Sequence, residues 1–168
     1  MSWTQPITDR TILDIDKLQE YDEIGYIYLR QEQQEEWLLG MKGALNASDL
    51  NRIESNQQYI LNLLSSQYSL SFKTNWQMTD FVEDSDENRI LSNLRTLMQP
   101  FDFDAQMVVP DKPLNYFEKI NQIESIILQM YNKYNERGES LRGGFSTNQN
   151  ESFITSDNEQ VNVFTSQI

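Results

Sequence analysis

Apolar residues recur at helical spacing in four stretches of this chain. Between Asp14 and Leu39, Ile15, Leu18, Ile24, Tyr28 and Leu29 roughly follow a 3.6-residue period. The run Gln31 to Glu36 is almost wholly polar and predicts a solvated face of the same long helix. Thr8-Asp9 offers capping oxygens ahead of it, and Gly40-Met41-Lys42-Gly43 supplies a C-cap and turn behind it. Leu50, Ile53, Ile60 and Leu64 then form a stripe preceded by the cap candidates Asn46, Ser48 and Asp49, so 14–65 reads as a helical hairpin. Glu83 to Glu87 puts carboxylates where a helix macrodipole favours them; Ile90, Leu94 and Leu97 follow, and Pro100 ends this third helix. The fourth pattern is the clearest: Phe117, Ile120, Ile123, Ile127, Met130 and Tyr134 step by threes and fours, close to a coiled-coil seam, with Gly138 as a stop.

The connectors carry information too. Residues 66–82 hold Tyr68, Leu70, Phe72, Trp76 and Phe81, too aromatic for a free linker, which predicts a segment packed on the helices. Residues 101–113 read as extended, with Met107-Val108-Val109 as a short strand and Pro110 and Pro113 excluding helix. From Glu139 to Ile168 the chain is rich in Gly, Ser, Asn and Thr, yet alternation at Val161, Val163 and Thr165 is strand-like.

One phrase is written three times: Asp49-Leu50-Asn51-Arg52-Ile53-Glu54-Ser55-Asn56, Asp86-Glu87-Asn88-Arg89-Ile90-Leu91-Ser92-Asn93, and Ile120-Asn121-Gln122-Ile123-Glu124-Ser125. Offsets of 37 and 33 residues mark a reused supersecondary element, since a single copy cannot bury its apolar face alone. A longer duplication pairs Trp3, Thr8-Asp9, Leu45-Asn46 and Leu50 with Trp76, Thr79-Asp80, Leu114-Asn115 and Ile120, at offsets of 69 to 73. The predicted fold is therefore mainly α: two tandem helical hairpins forming a four-helix-bundle-like body, with an extended or short-strand C-terminal tail. The expected divisions are 1–70, a first hairpin unit with an N-terminal arm; 71–137, a second hairpin unit; and 138–168, an assembly tail. Trp3, Leu50, Asn51, Arg52, Ile53, Trp76, Asn88, Arg89, Ile90, Ile120, Asn121 and Ile123 make up the repeat core.

Composition removes whole classes of chemistry. With neither Cys nor His among 168 residues, thiolate, disulfide and imidazole chemistry are excluded, and with them the usual zinc ligands and the Ser-His-Asp triad. A net charge of −13 without a basic cluster argues against direct nucleic-acid binding, which needs a positive stripe, and against anionic membranes. No apolar run approaches the roughly 20 residues of a membrane span, and Met1 to Pro6 lacks a signal-like pattern, so synthesis in the cytoplasm without membrane insertion is expected. Asp84, Asp86 and Asn88 match the first ligands of a calcium loop, but Arg89 and Arg95 stand where the turn Gly and bidentate Glu belong, which favours N-capping. Gly143-Gly144 has no following Lys and is read as a turn. The Trp residues are read as packing anchors ahead of sugar platforms. No catalytic residue, cofactor or metal site is expected.

The order Trp3, Thr8 to Thr11, Lys42-Gly43-Ala44-Leu45-Asn46, Asp49 to Asn56, Trp76, Asn88-Arg89-Ile90 and Leu114 to Glu124 resembles small virion structural proteins of tailed bacteriophages infecting Gram-positive bacteria. The likeness spans about residues 3 to 136 and leaves out the tail from Gly138. It implies a non-enzymatic tail or baseplate connector in the virion, joining larger virion proteins or mounting receptor-binding parts, as a homo-oligomer or in a symmetric hetero-assembly. Intermolecular contacts are expected from Met1 to Arg10 and from Phe145, Phe153, Ile154, Val161 and Val163. Two other readings stand beside it: a cytoplasmic helical adaptor or assembly chaperone not retained in the particle, and a carbohydrate-binding module.

Overall fold

The structure, a computed structural model, describes residues 2–64 and 68–137. Tertiary contacts divide the chain into two compact units, Met1–Tyr131 and Asn132–Ile168; of the second, residues 132–137 are described and are helical. The fold is mainly helical, with α1 at Ile12–Ile24, a 3-10 turn at Tyr26–Tyr28, α2 at Gln31–Leu39, α3 at Ala47–Leu63, α4 at Asp84–Met98 and α5 over 117–137. No strand occurs among the described residues. The strand expected at 107–109 is instead irregular chain with Val108 exposed, and the strand-like tail, like Gly138, lies outside the described residues.

Local chemistry explains the helix starts. In α1, α3 and α4 a carboxylate one turn into the helix accepts the N-cap residue's backbone N–H: Asp14 from Thr11 at 2.8 Å, Asp49 from Asn46 at 3.1 Å and Asp86 from Glu83 at 3.1 Å. This satisfies donors that a helix leaves without intrahelical partners. Thr11 thus caps α1, one turn's reach beyond the expected Thr8-Asp9. The expected helix over 14–39 is broken into α1 and α2. Gly25 adopts φ 81° and ψ 134°, a conformation open to glycine, and the 3-10 turn follows directly.

α3 and α4 pack directly on each other. Of the positions the periodicity marks, Leu50, Ile53 and Ile60 on α3 and Ile90, Leu94 and Leu97 on α4 are buried; Leu64 is the half-buried C-cap of α3, and Leu91 joins the buried face of α4. α5 buries Ile120, Ile123, Ile126, Ile127 and Met130. The α1–α2 segment has its own small core of Tyr21, Leu29 and Met41, flanked by Leu18 and Trp37, and the Tyr21 hydroxyl donates to Glu36 at 3.0 Å. The connector at 68–82 is mixed: Trp76 is buried, whereas Phe81 and Met78 are exposed.

The start of α1 rests on the turn before α3 at a point where glycine is required. A Cβ on Gly43 would stand 2.2 Å from the Asp14 carbonyl oxygen, an approach backbone cannot relieve locally. Lys42 beside it pairs with Asp9 at 2.9 Å. Gly43→Ala should therefore lower stability by about 2 kcal/mol through overpacking, read as a reduced urea midpoint with unchanged m-value. A midpoint equal to that of the parent chain would contradict this docking.

Candidate functional site

Asn51 and Glu54 lie three residues apart on α3, and Asn121 and Glu124 have the same spacing on α5, so each pair projects from one helix face. Both pairs grip an extended segment in the same way. Asn51 accepts the Trp76 N–H at 2.7 Å and donates to the Trp76 carbonyl at 3.0 Å. Asn121 accepts the Arg10 N–H at 3.2 Å and donates to the Arg10 carbonyl at 2.8 Å. A side-chain amide thus pairs with both polar groups of one backbone residue, as a neighbouring strand would.

The glutamates complete each clamp. Glu54 accepts four hydrogen bonds: from the Lys73 N–H at 2.9 Å, the Trp76 indole N–H at 2.9 Å, and Arg89 Nε and Nη2 at 3.0 and 2.8 Å. Glu124 also accepts four: from the Ile7 N–H at 2.6 Å, Arg10 Nη2 at 2.9 Å, and Arg52 Nε and Nη2 at 2.9 and 2.7 Å. Glu54 is 0 % and Glu124 1 % exposed, so a missing donor at either site would leave charge stranded out of water. Each arginine also reaches back three residues to an aspartate, Arg52 to Asp49 and Arg89 to Asp86. A further contact repeats at the far end of each arm. Asn56 accepts from and donates to the Thr4 backbone at 3.0 and 2.7 Å, while Asn93 donates to the Ser71 carbonyl at 2.8 Å.

The equivalences correct the sequence-based pairing of Trp3 with Trp76. Ile7 matches Lys73 and Arg10 matches Trp76, both 66 positions apart. The indole N–H of Trp76 and the guanidinium of Arg10 each donate to Oε1 of the clamp glutamate. Trp3 sits elsewhere, stacked on Tyr131 at 4.1 Å between ring centres and tilted against Tyr59 at 5.7 Å. Trp76 is 2 % exposed with Lys73 Nζ 3.7 Å from its ring centre, which leaves no open face for a sugar. The N-terminal arm, expected in contacts between molecules, is held from Thr4 to Arg10 within the protomer.

The second and third copies of the phrase each differ at one decisive position, so a third clamp is not formed among the described residues. Leu91 stands on α4 where the clamp glutamate would be, and Gln122 stands on α5 where the arginine would be. Asn88 is exposed and donates to Asp84 at 3.0 Å, outside any clamp. The neighbouring segment 108–114 is held by other means. Gln122 donates to the Val108 carbonyl, and Glu87 accepts the Leu114 N–H at 2.8 Å.

Electrostatics fit the geometry. Hydrogen bonding to Glu54 raises the Arg89 pKa above its ordinary value against the opposing effect of burial. Burial works against the charge of Arg52, and the bonds to Glu124 and Asp49 outweigh it to give a net rise. Asp86 is likewise penalised by burial, yet the Glu83 N–H and Arg89 bring its pKa below the usual value. A carboxylate engaged by two nitrogens of one guanidinium and by two further N–H groups is an anchor, with its acceptor sites filled. Among the described residues no group of three or more His, Cys, Asp and Glu is placed to hold a metal ion.

Of the residues singled out from sequence, Leu50, Ile53, Ile90, Ile120 and Ile123 are buried, and Asn51, Arg52, Trp76, Arg89 and Asn121 meet in the clamps. Phe145, Phe153, Ile154, Val161 and Val163 lie outside the described residues. Glu54, Glu124 and Arg10 were missed as site residues. The first two had a signal: Asn and Glu recur three apart in two copies of the phrase, and the second copy breaks that rule with Leu91.

Asn51→Ala should cost about 2 kcal/mol by unpairing both backbone groups of Trp76. Faster amide exchange at Trp76 and a red-shifted tryptophan emission would accompany it, and unchanged exchange would contradict the clamp. Glu54→Leu, which strands Arg89, should cost about 3 kcal/mol or more, and adding Arg89→Leu should recover part of that loss. Strictly additive effects in the double-mutant cycle would refute direct coupling.

Comparison with family models, curated proteins and solved structures returned no match, so the meaning of the paired clamps rests on their geometry and on the sequence pattern that carries it.

Proposed function

We propose that this chain is a non-enzymatic structural part of a phage virion, a tail or baseplate connector that joins larger virion proteins or mounts receptor-binding parts. Its body is read as three units, each an extended arm followed by a helix: 4–10 with α3, 71–76 with α4, and 108–114 with α5. The α1–α2 segment is an insertion in the first unit. Equivalent arm residues are 66 positions apart while equivalent arginines are 37 apart, and the difference of 29 is close to the length of the 12–39 segment. This reading replaces two tandem hairpins with three arm–helix units. It is supported by a hydrogen bond from each arm to the helix that follows it, Thr4 with Asn56, Ser71 with Asn93 and Val108 with Gln122, while each clamp joins an arm to the helix of another unit.

The observation that carries the functional reading is the inward use of the motif. The Asn, Arg, Asp and Glu side chains that resemble phage virion proteins are engaged with backbone and with one another, which supports a rigid part over a reactive one. The inserted segment meanwhile exposes Ile12, Leu13, Ile27, Tyr28, Leu38 and Leu39, apolar surface of the kind that assembly covers. Other copies and other virion proteins are its proposed partners, and the finished particle its proposed location.

Mass spectrometry of purified virions should detect the protein at a symmetric copy number that resists salt extraction. Its presence solely in infected-cell lysate would reject the virion role in favour of an adaptor or chaperone. A chain ending at Glu136 should keep its helical circular dichroism yet fail to assemble.

A further inference from the structure

The end of α4 and the connector after it line a wide-mouthed, shallow cup of about 650 Å³, within the size range of sites that bind small groups. It occurs beside the arm that lacks an Asn-Glu clamp, where the irregular chain from 101 to 111 makes a turn closed by the Met107 N–H donating to the Asp104 carbonyl at 2.9 Å. Met98, Phe101, Met107 and Val109 line it with apolar surface, and Phe101 and Val109 are buried. Asp102, Asp104 and Asp111 line it as well and are exposed. Against these three carboxylates stands Arg95, whose contact with Asp111 is long, at 3.9 Å, and whose side chain is half exposed.

We propose that this cup receives an arginine or lysine side chain, presented beside an apolar residue, from a partner protein. The apolar lining suits the methylene stem of such a side chain, and the carboxylates suit its charged head. The cup exceeds the volume of one long side chain, which leaves room for the apolar neighbour. Charge complementarity selects the occupant: three carboxylates at the site, on a chain of net charge −13, favour a cationic segment over an acidic one. The inference is independent of the virion reading, because it concerns the isolated chain and the chemistry of its ligand.

The test uses the full-length chain with methyl-labelled methionine and three short blocked peptides, Gly-Leu-X-Leu-Gly with X as Arg, Lys or Glu. Titration to millimolar concentration should shift the Met98 and Met107 methyl signals saturably with the Arg or Lys peptide, leaving Met41, which does not line the cup, unmoved. The Glu peptide should be silent, and added salt should weaken binding. The double variant Asp102→Asn, Asp104→Asn, at exposed positions that leave the fold intact, should weaken binding about fivefold. No saturable shift, an equal response to the Glu peptide, or an unchanged affinity in the double variant would each overturn the proposal.

Discussion

A glutamate buried on a helix and holding four hydrogen-bond donors is the constraint on which the rest of this structure depends. Removing a carboxylate from water is costly, and the cost is met when the guanidinium of a second helix, an arm N–H and an arm side chain all arrive together. The two clamps thereby impose relations among elements far apart in sequence. α3 is party to both, offering Glu54 to Arg89 of α4 and Arg52 to Glu124 of α5. Its Asn-Arg-Ile-Glu phrase is therefore the intact one, with both halves of the joint in a single turn of helix.

Stability and specificity come from different parts of this arrangement. The fully buried Ile, Leu and Met side chains of α3, α4 and α5 each contribute on the order of 1.5–3 kcal/mol by leaving water. Apolar packing of that kind tolerates some sliding of one helix past another. Paired clamps do not, because a shift by one residue would separate Asn51 from both polar groups of Trp76 and leave Glu54 facing the wrong amide. The clamps set the register of arms on helices, and the core supplies the driving force.

The helices were legible in the sequence because burial leaves a period, and the residues singled out in the thrice-written phrase, Asn88 excepted, are buried or meet in the clamps. The arms were not legible, for a physical reason. Asn51 and Asn121 read backbone, and backbone has no sequence, so Trp76 and Arg10 can occupy equivalent places while sharing nothing but a donor aimed at a glutamate. Matching tryptophans by identity accordingly joined Trp3 to Trp76, two residues in unlike surroundings. The division of the first long helix was hidden for a different reason: apolar spacing continues across Gly25, and the interruption lies in one backbone angle.

The two clamps differ in how much chain they must wait for. Lys73 and Arg89 reach Glu54 across 19 and 35 residues, whereas Ile7 and Arg10 reach Glu124 across 117 and 114. On a ribosome the first arm is made early, yet its partner helix is among the last described segments to emerge. Until then Thr4 and Asn56 can meet, but the backbone groups of Ile7 and Arg10 have nothing on α5 to hold them. The loop being closed is long, which slows folding more than it weakens the folded state. The α3–α4 joint can form as soon as α4 has emerged, whereas capture of the N-terminal arm must wait for α5, so the two joints of one body close at different times.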